Sequence, residues 1–153
     1  MKLWRLLSKG VGVITLGLTV WGCYYWAAAA VSEFRHPLVD SKAPYFREAF
    51  WTLSAVDAAL LVIVGFASIQ VLRLRPKAAV IYTCSVLALI AYAFGPGLLW
   101  LLPNGIGISI AAASGIGSMG AGVLLFYPVP FVYPLVSVVL VNFAWHRLKL
   151  TGL

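Results

Sequence analysis

Long apolar runs fenced by charge follow one another along the chain. Lys2, Arg5 and Lys9 precede a run from about Gly10 to Val31, and a mixed-charge stretch from Ser32 to Glu48 separates it from a second run, about Ala49 to Leu72. Arg73, Arg75 and Lys77 then form a short basic cluster. From Ala78 to Trp145 there is no Asp, Glu, Lys, Arg or His, and His146, Arg147 and Lys149 follow.

A hydrocarbon core of roughly 30 Å is crossed by about 20 helical residues, so each run is long enough to span a bilayer. Backbone groups inside lipid must pair within the segment, and the alternation of a closed barrel is missing, so the runs predict helices. The expected spans lie near 10–31, 50–72, 79–101 and 124–145, with outer loops at 32–49 and 102–123 and an inner loop at 73–78. The fold class expected is all-α: a polytopic membrane protein, with residues 1–153 forming one antiparallel four-helix transmembrane bundle and a Gly/Pro-rich outer segment before the last helix.

Composition points the same way. At 63% hydrophobic and 10% charged residues, and a mean hydropathy of +1.00, the chain has too little polar surface to cover a water-soluble globule. The net charge of +7 does not indicate nucleic acid, because the basic residues sit at the ends of apolar runs and not in a patch beside polar surface.

Those basic residues set the expected topology. Four spans put Lys2, Arg5, Lys9, Arg73, Arg75, Lys77, Arg147 and Lys149 on one side without a carboxylate, and Arg35, Lys42 and Arg47 with Glu33, Asp40 and Glu48 on the other. Eight Lys or Arg against three predicts cytoplasmic termini. The location expected is a cell membrane of the bacterial inner-membrane kind. The partners expected are the lipid bilayer and other membrane subunits or a second copy.

Two regions leave the map open. The first run can be read as a lipoprotein signal at Cys23, a cleavable signal ending in "WAAAA", or an uncleaved anchor. Trp21 fits a lipidation site poorly, the run exceeds the usual signal core, and Tyr24, Tyr25 and Trp26 resemble interfacial anchors, so the uncleaved anchor is preferred. The stretch from Pro103 to Tyr133 is apolar but rich in glycine and carries Pro128 and Pro130, with Pro134 just beyond. A fifth span at about 107–126 would carry Arg147 and Lys149 to the outer side, so an interfacial or re-entrant segment is preferred.

The residues that could carry chemistry are few. Asp57 lies about two turns, roughly 10 Å, inside the second span, where an ionised carboxylate costs about 2.5–3.5 kcal/mol at a helix centre and less near the interface. It is a candidate proton-coupling or cation-binding group, or a buried hydrogen-bonding residue paired with Ser54 or a hydroxyl of a neighbouring helix; the second is favoured. Cys23 and Cys84 fall in opposite halves of the bundle, too far apart for a disulfide, and are expected to be buried small hydrophobes. His36 and His146 lie outside the spans and cannot ligate a haem within the bilayer, and the spacing of His36, Glu33 and Asp40 does not suggest a metal. No cofactor or metal is expected.

"SGIGSMGAG" has no Walker lysine and no preceding strand, so Gly115, Met119 and Gly122 are read as helix-packing positions. Gly95, Pro96 and Gly97 are expected to kink or end the third span's helix. In the outer loop, "YFREAFW" reads as an interfacial segment in which Tyr45, Phe46, Phe50 and Trp51 anchor at headgroup level. The outer loops lack the tryptophan and cysteine signature of claudin-like proteins.

Three function classes remain. A structural or accessory subunit of a membrane complex makes the fewest demands and ranks first. A small proton- or cation-coupled carrier using Asp57 ranks second. An enzyme acting on lipid or quinone ranks third, since its acid–base groups would have to come from His36, His146 and Arg147, which do not cluster.

Overall fold

The computed structural model of the chain describes residues 2–35, 46–98, 123–125 and 131–150. Among these residues there is no strand. Four helices account for nearly all of them: α1 (Lys2–Arg35), α2 (Phe46–Leu72), α3 (Ala78–Leu98) and α4 (Val132–Leu150). Two are long and apolar enough to cross a membrane: α1, and α2 over Phe50–Leu72.

The helices form a ring in which α1 touches α2 and α4, and α3 touches α2 and α4. Neighbours run antiparallel. Trp26 of α1 reaches Ser54 of α2, while Gly12 lies against Leu72 at the other end of the same pair. Trp4 meets Phe143, whereas Thr15 meets Tyr133, so α4 also runs opposite to α1.

The inward faces of α1 and α2 follow from residue size and spacing. The buried residues Ser8, Gly12, Thr15, Thr19 and Gly22 recur at steps of four and three on α1, and Ser54, Asp57, Leu61, Val64, Ser68 and Val71 recur at steps of three and four on α2. This average of 3.5 residues is the repeat of a left-handed coiled coil. Small side chains let the backbones come close, and at Gly12 a β-carbon would stand 3.0 Å from Leu72 and 3.3 Å from the Ser68 carbonyl.

The turn between α2 and α3 is tight. Leu74 adopts a left-handed backbone (φ 53°), the Leu74 N–H bonds to the Val71 carbonyl at 3.1 Å, and the Arg75 N–H bonds to the Gln70 carbonyl at 3.2 Å. This is a Schellman ending with leucine where glycine is usual. Pro76, which cannot continue α2, follows two residues later.

Several boundaries differ from those read in the sequence. Helix α1 starts at Lys2, not near Gly10, because Lys2, Arg5 and Lys9 are good helix formers and stand exposed on it. It runs on to Arg35, so Glu33, expected in the outer loop, is helical and only 5% exposed. The last helix begins at Val132, not 124, because the X-Pro steps at 127–130 disfavour helix ahead of it. Leu124 and Leu125 are helical and buried, and the Phe131 N–H bonds to the Leu125 carbonyl at 2.6 Å. Pro134 is accommodated in the first turn of α4, where its missing N–H breaks no helical bond.

Helix α3 extends to Leu98, which places Gly95, Pro96 and Gly97 in its last turn. His36, Asp40, Lys42, Tyr45, the 99–122 stretch with Gly115, Met119 and Gly122, and Tyr127 to Pro130 lie outside the described residues.

Candidate functional site

Two groups of buried polar residues lie where helices meet. One surrounds Asp57, which is fully buried on the face of α2 turned to the bundle, as is Ser54 one turn earlier. Trp26 of α1 donates its indole N–H to the Ser54 carbonyl at 2.8 Å, and Tyr92 of α3 donates its hydroxyl to the Leu53 carbonyl at 2.8 Å. Two neighbouring helices therefore grip α2 one turn before the carboxylate. Cys23 and Trp26 of α1 pack on the apolar cluster of Leu61, Val64 and Leu89.

The second group joins α1, α3 and α4. Thr15 Oγ1 lies 2.7 Å from both the Tyr82 and the Tyr133 hydroxyls, and Tyr82 donates to Ser137 Oγ at 2.9 Å. Thr15 also reaches the Val11 carbonyl at 2.9 Å and Ser137 the Pro134 carbonyl at 2.8 Å. Each of the four hydroxyls has one proton to give. With Thr15 on Val11, Ser137 on Pro134 and Tyr133 on Thr15, the Tyr82 proton is shared between Thr15 and Ser137. The chain of hydroxyls thus ends on backbone carbonyls of α1 and α4, which do not titrate and cannot pass a proton on. Its chemistry is cohesion between helices.

Other buried hydroxyls are held by their own helices. Thr19, Ser68 and Ser85 each bond to the carbonyl four residues back, at 2.8, 2.8 and 2.7 Å. This back-bonding removes most of the cost of a hydroxyl in an apolar interior. Among the described residues Ser8 Oγ is the buried side-chain atom that lacks such a partner.

The structure corrects three readings of single residues. Trp26 is expected, with Tyr24 and Tyr25, to anchor α1 at the interface. It instead turns inward to Ser54, while Tyr24 and Tyr25 stay exposed. Phe50, expected at headgroup level, is fully buried, and its neighbour Trp51 is the exposed ring. Cys84 is exposed, because it shares the outward face of α3 with Val80 and Leu87, four residues before and three after it.

The basic residues expected to set topology converge. Val11, Val71, Ala78 and Trp145, which adjoin them in sequence, meet in one core cluster. Lys2, Arg5, Lys9, Arg73, Arg75, Lys77, Arg147 and Lys149 are all exposed at that end of the bundle. Among the described residues, no group of His, Cys, Asp or Glu could hold a metal ion.

Sequence reasoning missed the Thr15–Tyr82–Tyr133–Ser137 group and the small-residue seam of α1. The seam was visible as Ser8, Gly12, Thr15, Thr19 and Gly22 at heptad steps. The hydroxyl group had a weaker signal: tyrosines inside a stretch that contains no charge. No protein-family model matches the sequence, and neither a curated protein nor a solved structure similar to it was found.

Proposed function

We propose that the protein is a small integral membrane protein whose four helices cross the bilayer with both termini in the cytoplasm, and that it serves as an accessory or structural subunit of a membrane complex. The observation that carries the membrane reading is that the outside of the bundle is as apolar as its core. Among the described residues the interior holds nine polar or charged side chains beside its apolar core, while large apolar side chains of every helix face outward, among them Val13, Val62, Phe66, Val80 and Val139. In the apolar windows of α1 and α2 only 33% and 39% of residues are buried, unlike the core helix of a soluble protein. Water would penalise such a surface, whereas lipid tails would not.

Within that reading, two features favour an accessory role. The central hydroxyls are consumed by helix-to-helix bonds that end on backbone carbonyls. On the outside, Asn142 of α4 donates to Thr83 of α3 at 2.7 Å from an exposed position, a polar pair on an apolar surface of the kind that helps membrane helices associate. Purification from native membranes in mild detergent tests this. A stoichiometric membrane partner is expected, and a lone monomer whose deletion leaves every other complex intact would count against the reading. Fusions reporting the side of each terminus test the orientation.

A second reading, a proton- or cation-coupled carrier, is favoured by one observation: a fully buried carboxylate, Asp57, inside the bundle. Its test is pH-driven flux in proteoliposomes, which Asp57→Asn should abolish without loss of expression. The third reading, an enzyme acting on lipid or quinone, gains no assembled acid–base group among the described residues, and His146 stands exposed at the basic end.

A further inference from the structure

At the basic end, a cleft opens between the α2–α3 turn and the last turns of α4. Leu74, Pro76, Trp145, Leu148 and Lys149 line it, and its volume is about 120 Å³. That is room for about four waters at about 30 Å³ each, enough for a phosphodiester headgroup but not for a whole lipid.

The charges around it are of one sign. Arg73, Arg75 and Lys77 flank the two lining residues of the turn, Arg147 and Lys149 come from α4, and Lys2, Arg5 and Lys9 lie at the same end of α1. The described carboxylates do not neutralise them: Glu33 and Glu48 lie toward the far end of the bundle, and Asp57 is buried inside it. Such a cluster attracts an anion, and the mixed lining of lysine, indole and aliphatic carbon suits one that is joined to an acyl chain.

We propose that this cleft binds the headgroup of an anionic phospholipid, with Lys149 and Arg75 supplying charge to the phosphate and Leu74, Pro76, Trp145 and Leu148 packing against the glycerol and first methylenes. The proposal rests on the membrane reading above, because that reading puts the cleft at the depth of the cytoplasmic headgroups. A zwitterionic lipid presents a cation as well as a phosphate and is the weaker ligand beside so many positive charges.

The test is native mass spectrometry of the full chain in mild detergent with equal amounts of phosphatidylglycerol and phosphatidylcholine. One phosphatidylglycerol retained per chain is expected, in at least several-fold preference. Lys149→Gln and Arg75→Gln should each weaken retention roughly fivefold, the effect of one charge near an anionic surface, while Lys2→Gln should leave it within about twofold. Equal retention of both lipids, or equal loss in all three variants, overturns the cleft as a site. So does displacement of the lipid by inorganic phosphate, which would make this a site for the free ion. Flotation with phosphatidylcholine vesicles separates the two levels: a chain that inserts but shows no preference refutes the cleft alone, and a chain that fails to insert refutes the membrane reading.

Discussion

The Tyr82 hydroxyl offers one proton to two acceptors, Thr15 Oγ1 at 2.7 Å and Ser137 Oγ at 2.9 Å, and this redundancy makes a quantitative prediction. In Thr15→Val, which keeps the side chain's shape, Tyr82 retains Ser137, and Tyr133 retains the Val11 carbonyl at 3.4 Å. In Ser137→Ala, Tyr82 retains Thr15. Each single change should therefore cost about 0.6 kcal/mol and at most about 1.7, the range found for side-chain hydrogen bonds between membrane helices. The double variant removes both acceptors from a tyrosine that is fully buried. Thr15 also holds the Tyr133 hydroxyl next to that of Tyr82, so the same variant loosens the remaining neighbour as well. A buried donor without a proper acceptor costs about 1–3 kcal/mol, so the double variant should fall about 1–2 kcal/mol below the sum of the singles. The assay is equilibrium unfolding in mixed micelles, completed as a double-mutant cycle and repeated with Tyr82→Phe, where the coupling should vanish. Additivity within about 0.5 kcal/mol, or a coupling that survives removal of the Tyr82 hydroxyl, would refute the proton accounting.

Three further outcomes follow from particular contacts. Gly17 has open space around its α-carbon, so Gly17→Ala should stabilise the protein by about 0.5–1 kcal/mol in the same unfolding assay; Gly12→Ala should lose that gain because the Ser68 carbonyl, 3.3 Å from the new β-carbon, cannot move aside. Leu74→Ile conserves volume yet should destabilise by about 1–2 kcal/mol, since a β-branched residue tolerates the φ of 53° less well than leucine, whereas Leu74→Asn should be spared that backbone cost. Trp26→Phe should cost about 1 kcal/mol through loss of the bond to the Ser54 carbonyl, while Tyr24→Phe, on an exposed ring, should change stability by less than about 0.5 kcal/mol.

Sequence alone determined what depends on local chemistry. The length of the apolar runs and their near lack of charge pointed to helices, because the alternation of a closed barrel is missing and a segment without water must satisfy its own backbone. The basic cluster of Arg73, Arg75 and Lys77 marked the turn after α2, and the positions of the Lys and Arg residues placed one sign of charge at one end of whatever the helices build. Asp57 was legible as a residue that must face inward, since an outward carboxylate halfway along an apolar helix has no stable environment.

Only the tertiary structure decided which polar and aromatic side chains point at one another. Helices of similar hydrophobicity have almost no amphipathic signal, because the outward face is as apolar as the inward one, so periodicity could not tell Trp26 from Tyr25 or Phe50 from Trp51. Direction is settled by the acceptor or space that a neighbouring helix provides: the Ser54 carbonyl turns Trp26 inward, and Thr15 gathers Tyr82 and Tyr133 from residues 67 and 118 positions away. The same limit applies to the start of α4. The prolines announced an interruption, but whether residues 124 and 125 continue the last helix or fold into the core depended on the packing of Leu124 and Leu125 against Leu61, Val64 and Leu89, contacts that no local stretch of sequence encodes.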